Sequence, residues 1–217
     1  SKKTLIKKIL IKEKNNFFKL KNLRLSKDQK IKSVDKIDFD YLDVDLIKNN
    51  LMITRKNKYY YLDSKSFNAS KIIDDLLKPA KKFKNKEIFS SNFKLNIMIK
   101  ETFLDQEYII DDLNGHLLFK NGVITEADLD SSFSKNEKIK LTIKSILNEK
   151  ITTLYSDIAK PFVNRYEFIK GFEEGSLNFY SVKKNDISNS KLIIDNFKVQ
   201  EVPALAKLLT LASLQGI

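Results

Sequence analysis

Few residues of this sequence have the type and spacing that catalysis or metal binding requires. His116 is the only histidine, and cysteine is absent, which excludes disulfides, thiolate metal sites and cysteine nucleophiles. A Ser-His-Asp triad would have to use His116, and no Gly-x-Ser-x-Gly turn is present to expose a serine. The five glycines are too scattered for a phosphate-binding loop. We expect His116 to have a structural role.

The acidic residues show no pattern that would bring two carboxyl groups together. The clearest groups are an alternating set, Asp38, Asp40, Asp43 and Asp45, and three adjacent pairs, Asp111-Asp112, Glu173-Glu174 and, on the polar side of a predicted short helix, Asp74-Asp75. Alternating positions predict one solvated strand face, and adjacent residues of a strand point to opposite faces. Acid–base catalysis by two carboxyl groups needs them to converge in space. The sequence therefore predicts a protein that is not an enzyme and that has no catalytic residues, no metal and no cofactor.

Alternation of apolar and polar residues is the main structural signal. Two segments show it most clearly, and their apolar members are Phe93, Leu95, Ile97 and Ile99, and Ile139, Leu141 and Ile143. Alternation over this length predicts strands with one dry and one wet face, as in antiparallel sheets. A third segment, residues 37–46, changes phase between Tyr41 and Leu42, which predicts a bulge or a bend.

Turn signals separate the predicted strands. Residues 55–58 and the pair Asn121-Gly122 each predict a hairpin, and residues 183–190 link two further strands. The lysine-rich stretch 78–86 is the best candidate for a linker. We therefore divide the chain into residues 1–80, an N-terminal strand group with a short helix, and residues 81–217.

Three short segments have the spacing of helices. Residues 70–78 have one apolar face and stop at Pro79. Residues 156–166 begin with Ser156 as a candidate cap, and Pro161 inside the segment either argues against a continuous helix or marks a kink. Residues 203–214 carry an apolar stripe that predicts a lid or a partner-binding helix: Leu205, Leu208, Leu209 and Ala212.

The net charge of +12 and the pI of about 9.5 allow two interpretations. A basic protein can bind nucleic acid or an anionic membrane surface. Nearly all of the cations are lysine, however, and the only arginines are Arg24, Arg55 and Arg165. Nucleic-acid recognition favours arginine because its planar group forms paired hydrogen bonds. We therefore expect no nucleic-acid partner and interpret the lysines mainly as a bias of composition.

The last third of the chain resembles the C-terminal region of the AsmA-like family of bacterial envelope proteins. A strand that includes Asn196-Phe197 precedes Pro203-Ala204-Leu205-Ala206, and the sequence then reaches Ala212-Ser213-Leu214-Gln215-Gly216. Upstream, Ser156-Asp157-Ile158-Ala159 followed by Gly171-Phe172-Glu173-Glu174-Gly175 is similar to the family's short helix before a Gly-Gly-x-Leu strand. Two departures are the absence of a glycine near Lys160 and the replacement of the first paired glycine by Glu174. The resemblance covers about residues 150–217.

The resemblance implies a fold that is mostly β, in which a curved antiparallel sheet with two or three short helices forms an apolar groove. It also implies a non-enzymatic module on the periplasmic side of the inner membrane that helps to move phospholipid towards the outer membrane. The full-length protein would be anchored by a segment absent from this chain. The seven alternating residues of 93–99 and 139–143 are then candidates to face lipid.

Two other functions remain open at this point. The same apolar faces can pack a closed core in a structural or protein-interaction module of the envelope, with partners not identified by the sequence. Alternatively, the lysines can bind an anionic polymer or a membrane surface. An open apolar channel favours the first function, and one clustered basic face favours the last.

Overall fold

Strands dominate the computed structural model, which describes residues 4–77, 91–133, 136–164, 172–185 and 187–199. The strands in chain order are β1 Thr4–Glu13, β2 Asn16–Leu25, β3 Ile31–Ser33, β4 Lys36–Leu42, β5 Lys48–Lys56, β6 Tyr59–Asn68, β7 Phe93–Phe103, β8 Ile109–Lys120, β9 Val123–Ser132, β10 Lys138–Ile146, β11 Glu149–Ser156, β12 Phe172–Lys184 and β13 Ile187–Val199. Two helices, α1 Ser70–Leu77 and α2 Lys160–Val163, complete the elements described.

All thirteen strands belong to one open, curved sheet, which confirms the predicted fold class. Twelve strands follow one another in chain order across the sheet, and the short β3 pairs only with β2. Neighbouring strands are antiparallel except β6 and β7, which run parallel and are separated in sequence by α1. The two predicted strand groups meet at this pair, and the boundary placed at residues 80 and 81 lies outside the described residues.

The hairpin turns follow the turn signals of the sequence. Asn57 has a φ of 57° between β5 and β6, and Asn121 and Gly122 have φ of 52° and 74° between β8 and β9. Two successive residues with positive φ match the turn that suits the right-handed twist of a hairpin. The last predicted link is shorter than residues 183–190, because β12 continues to Lys184 and β13 begins at Ile187.

The phase change after Tyr41 marks a turn between strands, so the prediction of a bulge or bend within one continuous strand was wrong. Strand β4 ends at Leu42, and the Asp43 carboxylate accepts hydrogen bonds from the backbone N–H groups of Asp45 and Ile47, at 3.0 and 2.9 Å. Val44 is 97% exposed, as expected for a loop tip. The aspartate thus favours a local turn over the alternating strand pattern.

The first two predicted helices have different outcomes. Helix α1 matches its prediction to within one residue. The second is much shorter than residues 156–166: Ser156 is the last residue of β11, α2 has four residues, and Pro161 lies in its first turn without a kink. The third prediction, with Leu205, Leu208, Leu209 and Ala212, lies outside the described residues. Neither described helix has the length and apolar character needed to cross a bilayer.

Tightly packed side chains form two clusters near opposite ends of the strands. The N-terminal cluster is built where β3 and its flanking residues fold against the sheet, and its buried members are Leu20, Leu23, Val34 and Tyr60. The C-terminal cluster is built around α2, and its buried members are Leu104, Ile110, Phe133, Ala159, Phe162, Val163, Phe172 and Leu177. Ile9, Ile37 and Ile53 pack against the first cluster, and Leu154 and Phe179 pack against the second.

The segment beside β3 is held in place by hydrogen bonds across several strands. Val34 donates its backbone N–H to the Tyr60 hydroxyl at 3.2 Å, and Ser91 donates its hydroxyl to the Lys32 carbonyl at 2.8 Å. The Arg24 guanidinium lies 2.6 Å from the Asp35 carboxylate, and this hydrogen bond lowers the pKa of Asp35. The segment thus crosses the ends of β4 to β7.

Candidate functional site

One continuous row of apolar side chains crosses the whole sheet. Following the register from strand to strand, the row, here called the central row, is Ile9, Leu20, Ile37, Ile53, Leu62, Ile97, Gly115, Leu129, Leu141, Leu154, Phe179 and Leu192. Directly paired residues project from the same face of a sheet. Strand spacing makes the row roughly 50 Å long. We call the face that carries it the apolar face.

The opposite face carries polar side chains in the same register. Its neighbouring row is Lys8, Lys21, Lys36, Thr54, Tyr61, Asn96, His116, Asp128, Thr142, Thr153, Tyr180 and Lys191. No aliphatic side chain occurs in this row. These two rows therefore differ in polarity across all twelve strands, as expected when one face meets water and the other does not.

The apolar face is more enclosed than the polar face over the second half of the sheet. Ile97 and Leu141 are partly buried, whereas Met98, the neighbour of Ile97 on the polar face, is 58% exposed. Neither Ile97 nor Leu141 belongs to a packed cluster. Both side chains thus keep part of their surface exposed. A long apolar surface that is only partly buried is suited to bind apolar ligands or partners.

The register brings all seven predicted apolar residues to the same face. Ile97 and Leu141 both lie in the central row, and Leu95 connects through Leu117 and Ala127 to Ile143 in the next row. The remaining candidates, Phe93, Ile99 and Ile139, lie on this face in β7 and β10. Residues that are forty positions apart in sequence therefore form one surface.

The seven residues nevertheless differ in how far they are covered. Phe93 and Leu95 pack against the N-terminal cluster, and Ile139 packs against the C-terminal cluster. Ile99 is buried, with 4% of its surface exposed. Ile97, Leu141 and Ile143 stay partly buried outside both clusters. These last three are therefore the predicted residues best placed to contact a ligand on the apolar face.

Sequence reasoning missed much of the central row, including Leu62, Leu129, Leu154 and Phe179. Their strands carry weaker alternation, because serine, threonine and tyrosine occupy many of the intervening and flanking positions. Gly115 is the one position of the row without a side chain. A Cβ atom there would come within 1.9 Å of the Asp128 carbonyl oxygen, so the close approach of β9 requires glycine.

Two sets of titratable groups on the polar face form ion pairs at the surface. His116 Nε2 lies 2.9 Å from Glu126 Oε1, and this hydrogen bond lowers the pKa of Glu126. Lys140 contacts both Asp128 and Asp130, at 3.3 and 3.0 Å. Within the described ranges, no group of three or more histidine, aspartate or glutamate side chains is arranged to hold a metal ion.

The polar face mixes positive and negative charge and contains one broad depression. Lys8, Lys21 and Lys36 lie side by side on it, and Lys36 is 3.7 Å from the carboxylate of Asp38. The depression has a volume of about 510 Å³ and is lined by Asp38, Asn50, Met52, Asp63, Ser64, Lys65, Met98, Lys100 and Asp112. Acidic and basic groups therefore alternate on the part of the polar face that the structure describes.

A comparison with protein-family models, curated proteins and solved structures finds no match to this chain. The function must therefore be argued from the geometry of the apolar face.

Proposed function

We propose that the chain is a non-enzymatic lipid-handling module that holds the acyl chains of phospholipids against its apolar face. The observation that carries the proposal is the central row, which is apolar at eleven positions and is interrupted only by Gly115. A ligand for such a surface has to be long, apolar and tolerant of sliding, because the row offers no hydrogen-bonding group along its length. Phospholipid acyl chains have these properties.

The energetics favour acyl chains over isolated small molecules. Each methylene group removed from water contributes about 0.8 kcal/mol, so a chain lying along several strands gains affinity from many small contacts. The partly buried Ile97, Leu141 and Ile143 leave room for such contacts, whereas fully packed side chains would not.

The resemblance to the AsmA-like family supplies the cellular setting of the proposal. In this setting the chain lies on the periplasmic side of the inner membrane and contributes to phospholipid transport to the outer membrane and to envelope integrity. The sorted faces support the lipid-binding part of this proposal, because a lipid conduit needs one dry and one wet surface.

The absence of cysteine allows a direct test with single-cysteine variants. Ile97→Cys and Leu141→Cys place a fluorescent label on the apolar face, and Met98→Cys and Thr142→Cys place it one residue away on the polar face. The labelled proteins are loaded with phosphatidylcholine that carries a spin-label quencher on its acyl chain. We expect strong quenching at the first two positions and little quenching at the two controls.

Native mass spectrometry and lipid extraction of the unlabelled protein complete the test. Bound phospholipid together with face-specific quenching supports the proposal. Lipid that binds without any difference between the two faces would contradict it. A folded protein that takes up no lipid would also contradict it and would favour a structural or protein-interaction module, in which another protein covers the apolar face.

A further inference from the structure

Two lysines face each other on the apolar face, near the hairpin that joins β10 to β11. Lys150 in β11 is paired in register with Lys183 in β12. Lys150 precedes Leu154 of the central row by four residues, so its side chain projects from the same face. Ser145 and Ser188 are the next neighbours on either side in register. A pair of cations thus lies at the margin of an apolar surface.

A band of hydroxyl groups lies between this lysine pair and the central row. Thr152, Ser181 and Ser190 are paired in register, two residues from the lysines and two from Leu154 or Phe179. Ser190 donates a hydrogen bond to the Ser181 hydroxyl at 2.8 Å, and the hydroxyls of Ser181 and Ser188 are 3.0 Å apart. Ser181 is only 8% exposed and Thr152 is partly buried, whereas Ser190 is exposed, so the band is enclosed at β11 and β12 and open at β13.

The three bands follow the order of groups in an anionic phospholipid. Successive residues on one face of a strand are about 7 Å apart, so ammonium, hydroxyl and apolar groups follow at regular steps along β11 and β12. A phospholipid likewise has a phosphate, then ester oxygens that accept hydrogen bonds, and then acyl chains. A lipid lying along these strands would therefore meet a matching group at each level.

The lysine pair lacks a counter-charge within the described part of the chain. The neighbouring Lys184 is 3.2 Å from Glu149, but this ion pair lies on the polar face. Neither Lys150 nor Lys183 has a carboxylate at ion-pair distance among the described residues. Burial lowers the pKa of Lys150, and the charge of Lys183 lowers it further. Lys150 is partly buried and Lys183 is exposed. Two like charges side by side are unfavourable unless an anion joins them.

We propose that Lys150 and Lys183 bind the phosphate of an anionic phospholipid whose ester groups lie at Thr152 and Ser181. This inference rests on the proposed lipid-handling function and adds a head-group preference to it. The acyl chains then lie on Leu141 and on the exposed parts of Leu154 and Phe179, which also pack against the C-terminal cluster. Zwitterionic phosphatidylcholine carries a bulky positive group next to its phosphate, so it fits the lysine pair less well than phosphatidylglycerol does.

The test compares two lipids with identical acyl chains, phosphatidylglycerol and phosphatidylcholine, by native mass spectrometry of the full chain. The variant is Lys150→Gln with Lys183→Gln. The matched control, Lys144→Gln with Lys191→Gln, also removes two positive charges but from the polar face. We expect the unchanged protein and the control to favour phosphatidylglycerol, and the first variant to lose roughly tenfold or more of that preference.

The outcomes separate this inference from the function on which it rests. Equal binding of both lipids by the unchanged protein, or equal loss of preference in both variants, would overturn the head-group site but leave acyl-chain binding intact. Lack of binding of either lipid would overturn the proposed function as well. Titration with glycerol phosphate, which has no acyl chains, distinguishes the source of the phosphate. The assignment to lipid would be overturned if the unchanged protein bound this probe saturably but took up neither lipid, and if Lys150→Gln with Lys183→Gln abolished the binding.

Discussion

Shortening one leucine on the apolar face tests whether that face is open. Leu141 and Leu177 project from the same face, but Leu141 is partly buried outside both clusters, whereas Leu177 is 3% exposed within the C-terminal cluster. Truncating a buried leucine to alanine removes its transfer free energy and leaves a cavity, at a cost of roughly 3 kcal/mol or more. On an open face no cavity forms, because solvent reaches the site. Only part of the transfer free energy is then lost, about 1 kcal/mol.

We therefore expect Leu177→Ala to lower the free energy of unfolding about three times as much as Leu141→Ala does. Urea unfolding, followed by circular dichroism and extrapolated to zero denaturant, measures both changes. Met98→Ala on the polar face serves as a control and should have a smaller effect than either variant. A loss of roughly 3 kcal/mol for Leu141→Ala would refute the reasoning, because it would mean that the centre of the apolar face is packed as tightly as its margin.

Two further predictions concern the backbone and the turns. Replacing Gly115 with alanine should destabilise the protein by about 3 kcal/mol or more. The new Cβ would meet the Asp128 carbonyl, and Gly115 has a φ of 142°, which is unfavourable for alanine. A melting temperature equal to that of the unchanged protein would contradict this. Burial alone would raise the pKa of Asp43, but hydrogen bonds from Asn68, Asn49 and two backbone N–H groups outweigh it and lower the pKa. The stabilisation from Asp43 is therefore fully present above its unfolded pKa of about 4 and is lost as the pH falls through the lower pKa of the folded state. Asp43→Asn should lower the melting temperature at about pH 7, and this loss should shrink steadily as the pH is lowered below about 4; a loss that does not change with pH would count against this assignment.

Local signals predicted the strands well because each depends on only a few neighbouring residues. Alternation around Ile97 and Leu141 gave the correct face in both segments, and Asn121-Gly122 gave the correct hairpin. The phase change at Leu42 was misinterpreted because the alternating aspartate and apolar residues of this segment are compatible with a turn as well as with a strand. What decided between them was the capacity of Asp43 to accept several hydrogen bonds, which is a property of the folded loop.

The order and register of the strands were not accessible to the same reasoning. The parallel pairing of β6 with β7 depends on a crossover through α1, and no local pattern distinguishes it from another hairpin. Leu154 and Phe179 join the central row only because the register aligns them with Leu141. The lysine pair was missed for the same reason, since Lys150 and Lys183 are separated by more than thirty residues and meet only through pairing of β11 with β12.

The distribution of burial over β7 to β12 defines how much of the apolar face a ligand can reach. In a closed sandwich the middle of each strand is the most deeply buried part, because a second layer covers it. Here burial at mid-strand is mixed: Ile99 and Ala127 are 4% and 1% exposed, whereas Ile97 and Leu141 are only partly buried. Ile97, Leu141 and Ile143 also lie outside both packed clusters. The lipid-binding proposal therefore depends on these three side chains, and the unfolding experiment on Leu141 tests the accessible part of the face directly.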